Sequence, residues 1–416
     1  LPGSGADDPR ARVGGVMRSV LIVGASVAGV SAADALREAG FDGSIALVGA
    51  EPHTPYDRPP LSKQALDIED SREGLYPLRG AAHYGEQQVE LLLGKTASAL
   101  DVQRRTVSFS DGEVRPFDSL VIATGCRANT ISTTSGDPLP VLRTLDDARW
   151  LAKAAAVNSR AVLIGAGFIG LEVAAGLRRR GLDVTVLESA PTPFQHSLGP
   201  ELADWLCGYH AAQGVRIISG IQVAAVEGAP GTYKVVLADG RVLEAGIVLA
   251  GIGVRPNTEW LQGSGVPCSD VGVLCDASGS TGMAGIFAAG DVAATHHAPS
   301  GRVMRIEHWT HAVEQGRAAA RHLLLGEQAR LTPYFWTDQH SCKLQGYGRR
   351  QSGDSTRVVE GDLASGEFLA LFGANEHFHG VIASGRPRSL RGYRKLLEQN
   401  SSWSQALAMA EANATR

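Results

Sequence analysis

Two stretches of this chain carry nearly the same sequence. They are residues 19–29, which read SVLIVGASVAG, and residues 160–170, which read RAVLIGAGFIG. Each is a short apolar run that ends in a glycine-rich turn and leads into an alanine-rich stretch. This order predicts a buried strand, a tight turn and a helix whose N-terminus binds the pyrophosphate of a dinucleotide. Two such sites in one chain predict two bound dinucleotides and electron transfer between them.

The pattern around the two turns repeats as a larger unit of roughly 130 residues. Each copy is predicted to begin with a strand, a helix and a second strand, and to continue through three further strands. The predicted elements of the first copy are residues 20–23, 30–39, 44–48, 92–101, 106–109 and 117–123. Those of the second copy are residues 162–164, 171–180, 183–187, 215–218, 233–237 and 246–250. Asp-Gly pairs at 111–112 and 239–240 predict matching hairpin turns, so each copy is a Rossmann-like sheet with a small antiparallel insert.

The chain beyond residue 301 follows a different order. A helix is predicted at 310–325, then strands around 357–359, 368–372 and 380–383, and a closing helix from Ser389. We expect roughly the last dozen residues to fray. The fold class predicted for the whole chain is therefore α/β, with two Rossmann-like dinucleotide-binding domains and an α+β C-terminal domain.

Composition and charge narrow the class of protein. The formal net charge of -4 does not favour nucleic-acid binding. No uninterrupted apolar run is long enough to span a bilayer, and residues 1–16 are expected to be a disordered extension without the apolar core of a secretion signal. The five cysteines include no close pair, so we expect a cytoplasmic protein without a redox-active disulfide. Histidines at 296–297, 377 and 379 have no Cys or acid at supporting spacing, and we predict no metal site.

The glycine-rich turns hold the candidate phosphate-binding residues. The second turn has the complete pattern G-x-G-x-x-G, whereas the first has Ser26 at the middle position, where a small side chain still lets backbone approach phosphate. Turns of this kind also open helices for packing reasons alone, but the strand before and the helix after each turn favour binding. The candidates are Gly24, Ser26, Ala28 and Gly29 in the first turn, and Gly165, Gly167, Phe168, Ile169 and Gly170 in the second.

Acidic residues at strand ends are the candidate partners of ribose hydroxyls. Glu188 follows the predicted strand 183–187, and Glu51 occupies the equivalent place in the first copy. A carboxylate there repels a 2′-phosphate, and no Arg occupies the two positions after Glu188, so NADH is favoured over NADPH. A solvated acid is the alternative for each. Asp291 follows the apolar run 286–289 and suits a polyol such as the ribityl chain of a flavin; a simple turn residue is its alternative.

Several motifs, in this order along the chain, resemble those of the FAD-dependent pyridine-nucleotide oxidoreductases. They lie at residues 54–63, 123–125, 165–172, 251–257 and 287–291. Three further stretches narrow the resemblance to the ferredoxin reductases that serve oxygenases and cytochromes P450. These are residues 307–309 (EHW), 315–316 (QG) and 335–339 (FWTDQ).

The resemblance implies a glutathione-reductase-like fold in which an NAD domain interrupts an FAD domain. The expected boundaries are 17–126 with 243–327 for the FAD domain, 127–242 for the NAD domain and 328–416 for the C-terminal domain. The resemblance implies catalytic roles for Lys63, beside flavin N5, and for Glu172, its ion-pair partner. A buried ammonium needs such a partner, and its charge favours a reduced, anionic flavin. A solvated loop lysine and an ordinary acid near a helix N-terminus are the alternatives.

The resemblance also implies further contacts with the cofactors. Trp309 and Trp336 are expected to line the flavin pocket, with core tryptophans as the alternative. Arg127 is expected to reach a phosphate of FAD, although residues 126–129 (CRAN) depart from the Ala-Arg-Pro-Arg pattern usual in the family. The other residues implied are Glu51, Arg58, Lys63, Ala123, Thr124, Gly125, Gly251, Ile252, Gly253, Gly290, Asp291, Glu307 and His308.

The function implied is that of an NADH:ferredoxin oxidoreductase, which passes electrons from NADH through FAD to a 2Fe-2S ferredoxin that serves an oxygenase or P450. Neither nucleic acid nor membrane is an expected partner. Two alternative functions stay open: reduction of a small acceptor such as monodehydroascorbate or oxygen, and redox sensing of the apoptosis-inducing-factor type. A basic run near the C-terminus is either a solvated helix face or a docking site for an acidic ferredoxin. It consists of Arg386, Arg388, Arg391, Arg394 and Lys395.

Overall fold

A computed structural model describes residues 17–67, 76–297 and 302–414. The extension expected at residues 1–16 lies outside the described residues. The chain divides into two compact units. The first comprises Leu1–Asp57, Tyr76–Arg127 and Arg255–Leu331, and the second comprises Arg58–Leu75, Ala128–Val254 and Thr332–Arg416. The domain boundaries expected from the sequence stay a prediction.

The described residues form strands, helices and short 3-10 turns. The strands are β1 (Ser19–Val23), β2 (Ser44–Val48), β3 (Val89–Leu92), β4 (Ala97–Asp101), β5 (Thr106–Phe109), β6 (Val114–Pro116), β7 (Ser119–Ile122), β8 (Cys126–Ala128), β9 (Arg160–Ile164), β10 (Asp183–Leu187), β11 (Val215–Ile218), β12 (Val223–Glu227), β13 (Tyr233–Leu237), β14 (Val242–Ala245), β15 (Ile247–Ala250), β16 (Val254–Pro256), β17 (Val273–Cys275), β18 (Ile286–Ala288), β19 (Ala293–His297), β20 (Arg302–Arg305), β21 (Tyr334–Gln339), β22 (Cys342–Gly348), β23 (Ser355–Asp362), β24 (Glu367–Ala374) and β25 (His377–Ser384). The helices are α1 (Val27–Glu38), α2 (His83–Glu86), α3 (Leu145–Val157), α4 (Phe168–Arg179), α5 (Gln195–Leu198), α6 (Pro200–Ala212), α7 (Trp309–Leu325), α8 (Leu390–Glu398) and α9 (Trp403–Ala414). The 3-10 turns are Pro59–Ser62, Gln64–Leu66, Glu259–Leu261 and Gly290–Val292.

The first unit is built on a five-stranded sheet in the order β18-β7-β1-β2-β3, in which all pairs are parallel. Val20 and Ile22 of β1 belong to a core cluster with residues of α1 and α7. Leu21 and Val23 belong to a second cluster, which includes Trp260. Because successive strand residues point to opposite faces, this continuous apolar run buries both faces of the sheet.

The strand predicted at residues 92–101 is wrong as a single element. β3 ends at Leu92 and β4 begins at Ala97, with Gly94 between them at φ +69°. β3 pairs in parallel with β2, whereas β4 pairs antiparallel with β5 in the separate sheet β4-β5-β6. Leucines precede Gly94, and alternating apolar residues resume at Ala97, so periodicity did not reveal the break. The break is a turn whose positive φ favours glycine.

The second unit contains a four-stranded parallel sheet in the order β11-β10-β9-β15 and a three-stranded antiparallel insert, β12-β13-β14. Helix α4 begins at Phe168 rather than at the predicted residue 171, just as α1 begins at Val27 rather than at residue 30. Both helices start immediately after the glycine-rich turn, because Gly167 and Ser26 are their N-cap residues. The turn and the helix N-terminus are therefore one structure.

The C-terminal part of the second unit is an antiparallel sheet in the order β21-β22-β25-β24-β23, packed with α8 and α9. The expected fraying of the last dozen residues is wrong as far as residue 414, because Trp403–Ala414 forms α9; residues 415–416 lie outside the described part of the chain. Ala406 of this helix is fully buried in a cluster with Leu369 and Phe378. Burial of this apolar face adds to the high helix propensity of the alanine-rich sequence and holds the helix against the sheet.

The predicted fold class, α/β with Rossmann-like units and an α+β C-terminal part, is confirmed. None of the helices among the described residues is long and apolar enough to cross a membrane. The five cysteines are all free thiols.

Candidate functional site

The first glycine-rich turn is shaped by contacts between backbone atoms. Gly24 has φ +124°, and a Cβ at this position would collide with the carbonyl oxygen of Ala123 at the end of β7. A Cβ on Gly29 would collide with the carbonyl oxygen of Gly24. Both glycines are therefore required by the fold itself. Ser26 is extended and does not cap α1 with its side chain, so the amides of the first helical turn remain available to an anion.

In the second glycine-rich turn, two glycines are required by backbone packing and the third faces open space. Gly165 has φ +106°, and its Cβ would collide with the Gly251 carbonyl oxygen; a Cβ on Gly170 would lie 2.5 Å from the Gly165 oxygen. A Cβ on Gly167, in contrast, would have no protein atom within 4 Å. Gly167 is exposed and caps α4 without any side-chain hydrogen bond. The uncapped helix N-terminus and the open space beside it fit a pyrophosphate.

Glu188 lies at the second turn, as its place after β10 predicts. Its Oε2 accepts a hydrogen bond from the amide of Ala166 at 2.9 Å, and its Oε1 accepts one from Ala190 at 2.9 Å. The carboxylate is thus held against the glycine-rich loop by main-chain donors. Ile169 and Ile252 flank this loop as exposed apolar side chains, and Gly253 follows Ile252 with φ +88°.

Phe168, the first residue of α4, lies in an aromatic cluster. Its ring centroid is 4.7 Å from that of Phe194 and 6.0 Å from that of Phe335. Phe194 has φ +59°, a backbone conformation that is uncommon for a bulky residue. Trp336 stands next to Phe335 on β21, with its ring stacked at 6.3 Å from Tyr334.

Lys63 and Glu172 form the ion pair that the resemblance implies. The Nζ of Lys63 lies 2.7 Å from Glu172 Oε2, and the two side chains are only 14% and 6% exposed. Lys63 follows the 3-10 turn Pro59–Ser62, whose Pro59 carbonyl also accepts from Nζ at 3.2 Å. Glu172 lies on the buried side of α4. The preceding Arg58 donates from Nη1 to the carbonyl oxygen of Arg143 at 2.5 Å.

Glu172 accepts more hydrogen bonds than the sequence led us to expect. Ser62 Oγ donates to Oε2 at 2.5 Å, Thr337 Oγ1 donates to Oε1 at 2.6 Å, and the Asp338 amide donates to Oε1 at 3.2 Å. With Lys63, both carboxylate oxygens are satisfied by two donors each. Every lone pair of the carboxylate therefore meets a hydrogen-bond donor. The new partners lie in stretches 54–63 and 335–339, so those motifs were the available signal.

The first unit holds its own set of predicted residues. The Oε2 of Glu51 accepts from the Tyr56 hydroxyl at 2.5 Å. The amide of Gly290 donates to Gln315 Oε1 at 2.9 Å, and Gln315 is buried with its Nε2 unpartnered among the described residues. Asp291 follows Gly290 in the 3-10 turn Gly290–Val292. An unsatisfied buried amide at this turn fits a site that a polar ligand completes.

Trp309 is anchored by an acid that was not predicted. Its Nε1 donates to Asp57 Oδ1 at 2.5 Å. Burial raises the pKa of the Asp57 carboxyl, and the hydrogen bond from Trp309 opposes that shift. His308 is the N-cap residue of α7, and Glu307 accepts from Arg305 at 2.7 Å.

The loop after β7 is tied to the segment around Asn257. The Thr124 hydroxyl donates to the main-chain carbonyl oxygen of Asn257 at 2.9 Å, and the main-chain amide of Asn257 donates to the carbonyl oxygen of Gly125 at 3.0 Å. Arg127 donates to Asn257 Oδ1 at 2.8 Å and forms an ion pair with Glu259. A phosphate would compete with Glu259 for this guanidinium, so the contact expected of Arg127 stays a prediction. Among the described residues, no group of three or more His, Cys, Asp or Glu side chains could hold a metal ion.

Comparison with known proteins identifies the family. Residues 18–316 match the pyridine nucleotide-disulphide oxidoreductase family and residues 334–416 match the reductase C-terminal family. Rhodocoxin reductase of Rhodococcus erythropolis is 37% identical over 91% of this chain and 89% of that protein. The ferredoxin reductase component of chlorobenzene dioxygenase from Cupriavidus sp. (strain PS12) is 37% identical over 91% and 92%. The crystal structure of the covalent putidaredoxin reductase–putidaredoxin complex has a TM-score of 0.87 at 32% identity, covering 96% of this chain and 99% of that chain. This chain therefore belongs to the pyridine nucleotide-disulphide oxidoreductase family.

Proposed function

We propose that this chain is an FAD-dependent NADH:ferredoxin oxidoreductase that supplies electrons to an oxygenase or a cytochrome P450. The observation that carries the proposal is the pair of glycine-rich turns, each at an uncapped helix N-terminus. Relatives that are 37% identical over nine tenths of the chain are a rhodocoxin reductase and the ferredoxin reductase component of a chlorobenzene dioxygenase. FAD, when bound, accepts two electrons from NADH and passes them singly to an iron–sulfur partner.

The second turn is proposed to bind NADH. Gly167 leaves room for the pyrophosphate, and the first amides of α4 face it with the positive end of the helix dipole. Glu188, held by the Ala166 and Ala190 amides, is aimed to accept from the adenosine ribose and to repel a 2′-phosphate. Phe168, Ile169, Ile252 and Gly253 complete the proposed site, together with Gly165, Gly170 and Gly251.

The first turn is proposed to bind FAD. Gly24, Ser26 and Gly29 offer backbone to the pyrophosphate, and Glu51 is placed after β2 for the ribose. Asp291, after β18, is proposed to bind the ribityl chain. The remaining proposed contacts are Ala28, Arg58, Ala123, Thr124, Gly125, Arg127, Gly290, Glu307, His308, Trp309 and Trp336.

Lys63 and Glu172 are proposed to tune the flavin rather than to transfer protons. Glu172 holds the Lys63 ammonium at 2.7 Å, and the positive charge of this ammonium favours a cofactor that gains electrons. Ser62, Thr337 and the Asp338 amide donate to the same carboxylate and fix its orientation toward Lys63.

The proposed partner is a 2Fe-2S ferredoxin, and the proposed compartment is the cytoplasm, consistent with five free cysteines.

Arg388 and Arg391 of the basic run are exposed and have no ion-pair partner among the described residues, whereas Arg386 and Arg394 pair with glutamates. Replacing Arg388 and Arg391 with Glu is expected to slow ferredoxin reduction at low salt and to spare ferricyanide reduction. The exposed Arg216, replaced with Glu, is the matched control. Equal loss with both acceptors would exclude docking at this run.

The visible spectrum of the purified protein tests the proposal directly. We expect flavin absorption that NADH bleaches and that an added ferredoxin restores within the turnover time. Steady-state assays with a 2Fe-2S ferredoxin and with small quinones then compare acceptors. Colourless folded protein that takes up no FAD would refute the proposal. A reduced flavin that persists for minutes in air, or one that reduces quinones but no ferredoxin, would replace it with one of the alternative functions.

A further inference from the structure

A line of hydrogen bonds runs through the second unit and ends on Glu172. Thr337 Oγ1 lies 2.6 Å from Glu172 Oε1, and Gln339 Nε2 lies 2.7 Å from Thr337 Oγ1. His210 Nε2 lies 2.9 Å from Gln339 Oε1, and His340 Nε2 lies 3.2 Å from His210 Nδ1. We call these four residues before Glu172 the donor chain. Thr337, Gln339 and His210 are all buried, and His340 is partly exposed.

The directions of the three bonds nearest Glu172 are determined by the neighbouring groups. The amide nitrogen of Gln339 also lies 3.3 Å from the carbonyl oxygen of Phe168, which can only accept, so this side of the amide is the NH2 group. The Gln339 oxygen therefore faces His210, whose Nε2 must carry a hydrogen. Thr337 accepts from Gln339 and so turns its own hydrogen toward Glu172. Each residue donates to the next one along the line, and the carboxylate is the final acceptor.

His210 fits this direction only as a neutral imidazole. Burial, together with the nearby His340, lowers its pKa to about 4, and the hydrogen bond with Gln339 opposes the shift. Neutral His210 with hydrogen on Nε2 has its lone pair on Nδ1, where His340 Nε2 donates. Burial and the charges of Arg179 and Arg178 lower the pKa of His340 as well. The outer end of the donor chain is thus held in one tautomer.

We propose that Thr337, Gln339 and His210 are positioning residues of the reductase, which orient the Glu172 carboxylate and thereby determine how strongly Lys63 favours electron uptake by the flavin. The inference rests on the proposed function and extends it to residues that touch neither dinucleotide in the proposal. Four aligned dipoles point their positive ends at one carboxylate, in a buried setting where such bonds reinforce each other. They offset part of the Glu172 charge, so that less of the Lys63 charge is neutralised.

Four variants test the donor chain in the FAD-loaded protein. Thr337→Val removes the final donor while keeping the side-chain shape, and Thr337→Ser keeps the hydroxyl. Gln339→Leu interrupts the line one step further out. Tyr209→Phe is the matched control, because it removes the neighbouring hydrogen bond to Ser341 at 2.9 Å, which is not part of the line. The readouts are the flavin midpoint potential, the limiting rate of bleaching by NADH, and the NADH concentration at half-maximal rate.

We expect Thr337→Val to move the midpoint potential to more negative values and to slow bleaching about tenfold, as the loss of a hydrogen bond to a charged group would. Gln339→Leu should act in the same direction, and Thr337→Ser and Tyr209→Phe should resemble the wild type. The NADH concentration at half-maximal rate should not change. A Thr337→Ser variant as slow as Thr337→Val, or a Gln339→Leu variant with the wild-type potential, would overturn the inference.

A double-mutant cycle separates this inference from the proposed function. If the donor chain acts through Glu172, Gln339→Leu has no further effect on the flavin potential once Glu172→Gln is present. Its effect on the thermal midpoint becomes smaller but does not vanish, because the hydrogen bonds of Gln339 with Phe168 and His210 are lost in either background. Additive effects of the two substitutions would overturn the inference even in an active reductase. The thermal midpoints of the single and double variants are measured without NADH. Failure of NADH to bleach the flavin would therefore refute the proposed function, and the thermal midpoints would still test the donor chain.

Discussion

The substitution Glu172→Gln tests the buried ion pair most directly. It keeps the shape of the side chain but removes the charge that holds Lys63. An amide has one oxygen and one NH2 group, so whichever way it is placed, NH2 faces two of the four donors around Glu172. Removing one partner of a buried pair costs about 3 to 5 kcal/mol, because the other charge is left without compensation. We expect the free energy of unfolding to fall by about that amount.

The control is an ion pair at the surface of the same unit. Glu398 pairs with Arg394 at 2.7 Å, four residues apart on α8, and both side chains are 44% exposed. Such a pair contributes about 0.3 to 0.5 kcal/mol, so Glu398→Gln should change stability by no more than that. Lys63→Met added to Glu172→Gln should restore part of the loss, because the unpaired ammonium is gone.

Urea unfolding followed by circular dichroism, in excess FAD, measures these differences. The slope against urea should be the same for all variants, so that shifts in midpoint report stability. The reasoning is refuted if Glu172→Gln and Glu398→Gln are equally stable, or if Lys63→Met makes the Glu172→Gln variant still less stable.

Three further predictions concern binding and pH. Gly167→Ala should leave the thermal midpoint unchanged and weaken NADH binding about tenfold, whereas Gly170→Ala should destabilise the fold by about 1–3 kcal/mol. Calorimetry measures the stability of each variant, and titration with NADH measures its affinity. Equal behaviour of the two variants would contradict the prediction. Glu188→Ala with Ser189→Arg should shift preference toward NADPH in steady-state assays, and a wild type that already prefers NADPH would show the interpretation of Glu188 to be wrong. The pKa of His210 is lowered from 6.5 to about 4 in the fold, so between these values the folded imidazole stays neutral while the unfolded chain takes up a proton. The free energy of unfolding should therefore fall by up to about 1.4 kcal/mol for each unit by which the pH is lowered from 6.5 to about 4. His210→Phe should flatten this slope, and an unchanged slope would contradict the assignment.

The features of this protein that depend on local chemistry could be predicted from the amino-acid sequence. Continuous apolar runs such as 20–23 predict strands buried on both faces, and the glycines that follow them are required by close backbone contacts, as Gly24 and Gly170 show. The place of Glu188 after its strand predicted a carboxylate at the turn, where the structure has it. These features were predictable because each depends on a few neighbouring residues and on the strand–turn–helix order.

Packing between separate elements determines which distant side chains meet. Nothing local indicates that His210 and Gln339 face each other, or that Thr337 donates to Glu172, because such contacts depend on how separate elements pack. The break at Gly94 was likewise decided by strand pairing. Hydrogen-bond direction requires every neighbour of a polar group to be known, and burial of α9 depends on a core assembled from other strands.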